Sequence, residues 1–560
     1  MKSLHWDAAS LEIMWNRLIQ ITEEAWVTLW RTSFSLIVGE AQDFGIEILD
    51  PHGNSLAHAP RSMPVFNLSL PRAVKELLKI FPPESLQPGD VLITNDPWIS
   101  AGHLYDVAIV TPVFKDGRLL AFVGSIAHWS DIGGALDSMS VREIFDEGLQ
   151  IPPLKLYDRG KLNGTLLAMI ERNVRRPSMV IGDLHAQLNG NMVAVKRLLD
   201  LAEEYHLDDF SELAVIIQSR SEAATREAIS RIKDGRYEGT VTFDGLGHPL
   251  ELNVVIDVHG DSLTVDWTNV PPQVDRGGIN CTYSYTASHT AYALKCILTP
   301  DVPSNQGCYK PFHIITKPGT ILDCERPASV NLRTMTGWYI APAIFMALAD
   351  ALPDRVQAFT GLPMGLGAYG PLGHGEWFQD HLFQGGGQGA SAHGDGKNGL
   401  LFPTSAANTS VELFEARTPL VVQEKTLIQD SGGAGTYRGG LGQRVVVRKL
   451  YNDGLPVYFS PHPQGMVVQT PGLFGGLPGK PADVYVMRWP DGEVLDRGLH
   501  LRGLVELRSW EEALVIELAG GSGYGDPAKR SRHLVEVDLK NGYVSQEAAR
   551  SVYRYSWAGN

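Results

Sequence analysis

The sequence predicts an α+β protein that combines mixed or antiparallel β-sheets with blocks of helices. Three observations predict this fold class. At 560 residues the chain is too long for one small core, so several packed layers or domains are expected. Long stretches with the two-residue period of strands alternate with long stretches of helical period. No strand–helix–strand repeat indicates a doubly wound parallel sheet.

The N-terminal part is predicted to begin with a helix and to continue as strands. Residues 8–36 carry apolar side chains at helical spacing. The segment FGIEILDPHGN is typical of a strand with a turn at Pro51–Asn54, PRAVKELLKIF of a short helix, and GDVLITNDP of a further strand. A β-hairpin follows, in which Val107–Phe114 and Arg118–Ile126 pair across the turn KDG.

The rest of the chain alternates between helices and strands. Helices are predicted from about residue 166 to 232, a three-stranded meander from 237, and helical blocks at 284–298 and 337–351. We interpret the Gly-rich stretch 361–399 as ordered loops. Residues 411–518 are predicted to be β-rich, with a helical tail from about 546. These shifts predict three regions, which are 1–235, 236–410 and 411–560.

Charge and cysteine content exclude several classes of protein. A formal net charge of −15 argues against binding of nucleic acid or an anionic membrane by bulk electrostatics. The N-terminus MKSLHWDAASLEIMW has no signal-peptide pattern, and no apolar stretch is long enough to span a membrane. The four cysteines are widely spaced and contain no CxxC pair. They therefore indicate reduced thiols and a cytoplasmic, soluble protein.

The predicted hairpin carries a histidine and an aspartate at the start of one strand and again at the end of the other. Pairing about the turn places Tyr105 opposite His128 and gathers His103, Asp106, His128 and Asp131 at one end of the hairpin. Imidazole and carboxylate groups held by a rigid ladder can bind a divalent metal. Zinc or manganese fits this mixture best, and iron or cobalt also fits. The alternative is that these are solvated strand-end residues that cap turns.

Other motifs give weaker signals. The chain lacks a GxxxxGK[ST] phosphate loop and a GxSxG nucleophile motif. Glycines at 430–435 could form tight turns or a nest of N–H groups for an anion. We expect His374, His381 and His393, which lie in the Gly-rich stretch, to be exposed loop residues.

Several longer motifs resemble one known family. GDVLITNDPWISAGHLYDVAIVTPVF followed by AHWSDIGG, then ERNVRRPSMVIGDLHAQLNGN, NTSVELFEARTPLVV and DSGGAGTYRGGLGQ, are similar to the hydantoinase B family. That family includes the B subunits of ATP-dependent N-methylhydantoinases, the matching half of 5-oxoprolinases, and related subunits of ketone carboxylases. The resemblance extends from about Ala9 to the C-terminus.

The resemblance implies a metal-binding subunit that forms a hetero-oligomer with a separate A subunit. In the family the A subunit uses ATP to phosphorylate the substrate oxygen, and the B subunit completes the reaction. Carried over to this sequence, the metal ligands are His103, Asp106 and His128. A further carboxylate comes from VGEAQDFG, where Asp43 is the preferred ligand and Glu40 the next candidate.

The expected chemistry adds proton-transfer roles, and the resemblance shows two departures. Asp131 would orient a ligand histidine, and Asp131 or Glu40 would act as the general base. Ala41 stands where the family usually has an arginine. The segment RPASVNLRTMTGWYIAP also departs from the usual Gly-Asn-x-x-Thr-Ser-Gln pattern, which leaves the substrate class open.

Three functions are therefore compared. The first is the B subunit of an ATP-dependent cyclic-amide hydrolase that acts on hydantoin-like, oxoproline-like or lactam rings. The second is the corresponding subunit of an ATP-dependent ketone carboxylase. The third is a non-catalytic scaffolding subunit with a structural metal.

Overall fold

The structure is a computed structural model, and it describes residues 6–556. Its helices, in chain order, are α1 (Ala8–Thr32), α2 (Leu36–Gly39), α3 (Phe66–Ile80), α4 (Gly164–Asn173), α5 (Pro177–Glu204), α6 (Ser211–Ser230), α7 (Tyr283–Leu298), α8 (Gln306–Tyr309), α9 (Thr334–Gly337), α10 (Ile340–Ala347), α11 (Val411–Arg417), α12 (Arg532–Lys540) and α13 (Gln546–Ser551).

The strands of the first half are β1 (Phe44–Leu49), β2 (Ser55–His58), β3 (Val91–Thr94), β4 (Asp106–Lys115), β5 (Arg118–His128), β6 (Leu154–Asp158), β7 (Lys161–Leu162), β8 (Gly235–Phe243), β9 (Leu250–His259), β10 (Ser262–Asp266) and β11 (Phe312–Ile315). Those of the second half are β12 (Met364–Gly373), β13 (Glu376–Gln384), β14 (Leu420–Leu427), β15 (Gln443–Lys449), β16 (Val457–Ser460), β17 (Asp483–Arg488), β18 (Val494–Arg497), β19 (Val505–Leu507) and β20 (Glu512–Glu517).

The N-terminal sheet is the scaffold of the site. It is antiparallel, with strand order β2-β1-β5-β4-β3-β6-β7. Helices α1 and α5 pack together and cover one face, while α3 covers the other. Because both faces are covered, the central strands β1, β4 and β5 are buried almost throughout.

Three further sheets complete the molecule. The predicted meander forms the sheet β11-β10-β9-β8, against which α7 and α10 pack. The sheets β13-β12-β16-β19 and β14-β15-β20-β17-β18 enclose a shared apolar core in the C-terminal half. The hairpin β12–β13 belongs to the predicted region 236–410, yet it pairs with β16 of the predicted region 411–560. The division into three regions stays a prediction.

The α+β class with mixed and antiparallel sheets is confirmed. One local prediction was wrong, because the Gly-rich stretch 361–399 is not only loops. It contains the hairpin β12–β13, turned at His374 between two glycines of positive φ. The pattern EWFQDHLFQ alternates with the two-residue period of a strand. The prediction missed this strand because glycine-rich segments flank it.

The helix predicted over residues 8–36 breaks near residue 33 into α1 and α2. In the part of the chain that the structure describes, no helix combines the length and apolar character required to cross a membrane.

Candidate metal centre

The hairpin forms as predicted, but its register at the site end differs by one residue. Asp106 lies opposite His128, where the turn alone predicts Tyr105. The shift arises from a β-bulge between Val113 and Phe114, where Leu120 is an extra residue on β5. Directly opposite residues of an antiparallel pair point to the same face. The bulge therefore brings the Asp106 and His128 side chains to one side of the sheet.

Three side chains meet at this end of the sheet. One ligand atom from each of His103, Asp106 and His128 lies within 4.8 Å of the others. Nε2 of His103 is 3.0 Å from Oδ1 of Asp106, and the rings of His103 and His128 have centroids 5.0 Å apart. Neighbouring ligands of a tetrahedral zinc are separated by about 3.3 Å. The separation of His103 from Asp106 is close to this value, and the whole group, within 4.8 Å, is compact enough to surround one ion.

The donor atoms of these groups that form no hydrogen bond suit a cation. Both ring nitrogens of His103, Oδ1 of Asp106 and Nδ1 of His128 are buried and form no hydrogen bond of normal geometry among the described residues, even though Nε2 of His103 lies close to Oδ1 of Asp106. Buried polar atoms without partners are rare because each costs free energy. Nitrogen and carboxylate donors are the set that zinc and manganese accept. The residues present thus fit a divalent metal.

The turn before β4 holds His103 in place. Gly102 adopts φ +92°, and a Cβ there would lie 2.8 Å from Cβ of Tyr285 on α7. Only glycine can occupy this left-handed, tightly packed position. Asn95 fixes the same loop, because its side chain bonds to the backbone of Leu104, Leu149 and Ile151.

Arg333 is a residue of the site that the sequence did not assign. It lies 227 positions from Asp106, and its guanidinium donates to Oδ2 of that carboxylate at 2.7 Å. The guanidinium also stacks over the ring of Tyr285 at 4.7 Å. Glu147 positions the preceding loop by accepting the N–H groups of Val330 and Asn331. In the sequence, the one indication of this residue was that the segment RPASVNLRTMTG departs from the pattern usual in the similar family.

Burial keeps the histidines neutral. It holds the pKa of His103 well below its usual range, with Arg333 adding to the effect. It also lowers the pKa of His128, and His103 lowers it further. Neutral imidazole is the form that binds a metal. The two imidazoles can therefore bind a metal at neutral pH without releasing a proton.

Asp43 lies at the end of the neighbouring strand. Phe44 pairs with Ala127, and the carbonyl of Asp43 accepts the N–H of His128 at 3.0 Å. Asp43 lines the same cavity as both histidines, although its carboxylate is outside the three-residue group. Burial, and then the charge of Asp106, raise the pKa of Asp43 to about 8. A nearby cation would favour its ionised form.

The other two predicted residues are placed elsewhere. Glu40 follows α2 and is not among the described residues that line the cavity. Asp131 is buried, and its carboxylate accepts hydrogen bonds from the N–H of Gly133 and from the backbone and guanidinium of Arg175. Asp131 therefore joins the loop after β5 to the α4–α5 junction, and its described hydrogen bonds do not reach the histidines.

A cavity of about 150 Å³ opens at the cluster. Asp43, the two histidines and Arg333 line its polar side, and the apolar side is lined by Ile37, Leu332, Met335, Trp338, Pro363, Met364 and Phe383. A concave space with an apolar wall and a few convergent polar groups is typical of a small-molecule site.

His381 also lines this cavity, which corrects its interpretation as an exposed loop residue. It is on β13, 6.3 Å from the His128 ring centroid. Burial lowers the pKa of His381 to about 4. His374 and His393, by contrast, are exposed as expected.

Part of the suggested anion nest at 430–435 is not available. The N–H groups of Ser431 and Gly433 donate to the carbonyls of Ile428 and Gly521. Since these donors are already used within the fold, they are not free to bind an anion.

The comparisons with known proteins agree with one another. The profile described as Hydantoinase B/oxoprolinase matches residues 7–527. The chain is 28% identical to the B subunit of a putative D-/L-hydantoinase from a Pseudomonas species, covering 98% of this chain and 95% of the relative. It is also 28% identical to the beta subunit of the caprolactamase of Pseudomonas jessenii, covering 99% and 97%.

Two solved structures share the fold. The ATP-dependent caprolactamase of Pseudomonas jessenii superposes with a TM-score of 0.89 at 26% identity, covering 99% of this chain and 97% of that one. An acetone carboxylase superposes with a TM-score of 0.85 at 19% identity, covering 97% and 79%, which shows a shared fold alone. The family match spans most of the sequence and includes every residue of the strand-end cluster, so the chain belongs to the hydantoinase B/oxoprolinase family.

Proposed function

We propose that this protein is the B subunit of an ATP-dependent cyclic-amide hydrolase and opens a phosphorylated ring at a divalent-metal site. The observation that carries the proposal is the cluster of His103, Asp106 and His128, whose two histidines line an apolar-walled cavity, in a chain of this family. Relatives named as parts of a hydantoinase and of a caprolactamase support cyclic amides as the substrate class.

The reaction has two chemical requirements. An unstrained amide resists hydrolysis because resonance must be lost and a poor leaving group expelled. Phosphorylation of the carbonyl oxygen by an ATP-binding A-type partner removes the first obstacle, which is the amide resonance. When bound, zinc or manganese (or iron or cobalt) would supply Lewis-acid polarisation and a more acidic water.

The chain's own residues would bind, orient and exclude water. His103, Asp106 and His128 would hold the metal, with Asp43 as the added carboxylate. Arg333 would fix the Asp106 carboxylate through its buried ion pair. The apolar wall around Trp338 would seat the hydrocarbon part of the ring and keep bulk water out.

Base roles for Asp131 and Glu40 stay predictions. Asp131 is engaged with Arg175, which supports a positioning contribution through the loop that follows β5. Asp131→Asn should then lower kcat without changing metal content. An equal loss of metal and of kcat would indicate that Asp131 supports the ligands instead.

The first test is reconstitution of the two subunits. The purified chain should not hydrolyse hydantoin, caprolactam or 5-oxoproline with ATP until an A-type partner is added, when ring opening and ADP release should appear together. The His103→Ala variant should abolish ring opening in the same mixture. Full turnover by the isolated chain would contradict the proposal.

Metal content separates the two candidate carboxylates. Asp43→Asn should reduce the bound metal measured by elemental analysis, whereas Glu40→Gln should leave it unchanged, because only Asp43 lines the cavity. The opposite result would reassign the fourth ligand to Glu40.

The two alternatives predict different results. A ketone carboxylase subunit would require bicarbonate together with ATP and would form a carboxylated product. A scaffolding subunit would keep turnover after metal removal, and His128→Ala would lower only assembly or melting temperature. Cytoplasmic location belongs to the same proposal and can be checked by cell fractionation.

A further inference from the structure

A second cleft lies between α3 and α7, on the other side of α7 from the metal centre. Its volume is about 550 Å³. Helix α3 contributes Arg72 and Lys75, and α7 contributes Tyr283 and Ser284 from its first turn. Tyr285, the next residue of α7, stacks instead on Arg333 of the metal centre. The cleft is therefore a separate site.

Two basic side chains on one face of α3 border this cleft. The Arg72 guanidinium lies 4.7 Å above the ring of Tyr283, and neither Arg72 nor Lys75 forms an ion pair with a carboxylate among the described residues. Glu76, which also lines the cleft, pairs instead with Lys79 at 2.7 Å. Arg72 thus keeps its positive charge without a paired carboxylate, in a chain of net charge −15.

The same cleft contains an unused hydroxyl at a helix N-terminus. Ser284 is 2% exposed, and its Oγ has no hydrogen-bond partner among the described residues. The 16-residue helix α7 begins here, and the Thr282 side chain accepts only the N–H of Tyr285. First-turn N–H groups lack acceptors within a helix and, with the helix dipole, attract anions.

The size and lining of the cleft narrow the class of ligand. Convergent donors from a guanidinium, a hydroxyl and a helix start suit the several oxygens of a phosphate group. Trp98 and Tyr309 also line the cleft, so aromatic surface is available to a ring attached to that phosphate. The volume of the cleft is larger than a free phosphate ion needs.

We propose that this cleft binds a phosphate group, either as inorganic phosphate or as the terminal phosphate of a nucleoside diphosphate. Arg72 supplies the charge, Ser284 the hydroxyl donor, and the first turn of α7 the backbone donors. The site is independent of the metal centre and of the proposed hydrolase activity.

Calorimetric titration of the full chain tests the proposal. Inorganic phosphate, ADP and adenosine are titrated separately in the presence of EDTA, which prevents phosphate from binding to metal. Arg72→Gln should weaken phosphate or ADP binding about tenfold or more, because a charge-assisted hydrogen bond is lost. Ser284→Ala should weaken it several-fold, and Arg118→Gln, an exposed arginine on the β4–β5 turn, should not change it.

The outcomes are distinct. Tighter binding of ADP than of phosphate, with no binding of adenosine, identifies a nucleotide as the ligand; equal binding identifies free phosphate. No binding of either anion at millimolar concentration overturns the proposal. So does binding that both cleft variants retain unchanged, with circular dichroism confirming that each variant is folded.

Discussion

Arg333 connects two distant parts of the chain at the candidate metal centre. Its guanidinium is buried, stacks on Tyr285, and donates to the carboxylate of Asp106. A partner of this kind orients a ligand and tunes its basicity. Sequence reasoning found Asp106 from its place in the hairpin, but it did not assign Arg333, because the contact spans 227 positions.

Replacing Arg333 should weaken metal binding. We expect Arg333→Gln to reduce metal affinity about 10- to 100-fold, since the Asp106 carboxylate loses its charged donor. Arg333→Lys should recover part of the loss, because it restores charge but not the planar fork. Competition with a metal chelator measures the affinity. The exposed Arg276 provides the control Arg276→Gln, and equal effects in both variants would contradict the assignment.

Glu47 is a buried carboxyl group on β1 whose ionisation affects stability. It is 1% exposed and accepts the hydroxyl of Ser55. Burial raises the pKa of Glu47 well above its usual value. The folded state therefore binds more protons than the unfolded state at pH values between the two pKa values. In that window the free energy of unfolding must fall as the pH rises.

Glu47→Gln should remove this pH dependence. Between the unfolded pKa near 4.5 and the raised folded pKa, the wild type should lose about 1.4 kcal/mol of stability per pH unit from this group. The variant should show a shallower decline, because glutamine fills the position without a charge. Urea unfolding over a pH series measures the slope. Parallel curves for both proteins would show that Glu47 ionises freely in the fold.

At the scale of elements, the β4–β5 hairpin shows both what local sequence predicts and what it misses. The turn, the two strands and their apolar filling are predicted by the two-residue period. The bulge at Leu120 is not, and it shifts the register so that Asp106 rather than Tyr105 faces His128. A shift of one residue changes which face a side chain occupies.

The Gly-rich segments pack backbone against backbone. A Cβ on Gly440 would lie 1.9 Å from the carbonyl oxygen of Lys397, and one on Gly387 would lie 1.8 Å from that of Gly440. No side chain fits between such chains, so the glycines are required by close approach. The sequence predicted ordered loops and tight turns here, but not which segments meet.

Gly440→Ala should destabilise the C-terminal half. We expect a loss of about 2 kcal/mol or more, because the clashing atom is backbone and cannot move aside cheaply. Gly394→Ala is the matched control, since a Cβ there has no atom within 4 Å and the backbone φ is not positive. Thermal unfolding of both variants measures the difference, and equal melting temperatures would contradict the packing argument.

At the scale of the whole molecule, the candidate metal centre joins separate parts of the fold. The ends of β1, β4 and β5 meet the loop before α9, and His381 approaches from β13 of another sheet. Ligand binding to the native state stabilises that state alone. An ion held at this junction should therefore stabilise the protein as a whole.

Metal removal should lower the melting temperature. Loss of an ion present at about 100 times its Kd would cost about 2.7 kcal/mol, and zinc or manganese should restore the original value. The His103→Ala variant should respond to neither chelator nor added metal. Differential scanning calorimetry with elemental analysis provides the measurement, and an unchanged wild-type transition after complete metal loss would contradict a structural contribution.

The sequence by itself determined the α+β class, the hairpin and the three residues that cluster at its end, because periodicity and short turns are local properties of a chain. Only the tertiary structure decided the register at the site, the pairing of Arg333 with Asp106, and the approach of His381. Each of these depends on packing between segments far apart in sequence. A bulge, a buried ion pair and a strand from another sheet are selected by the space and charge around them, which no local pattern encodes.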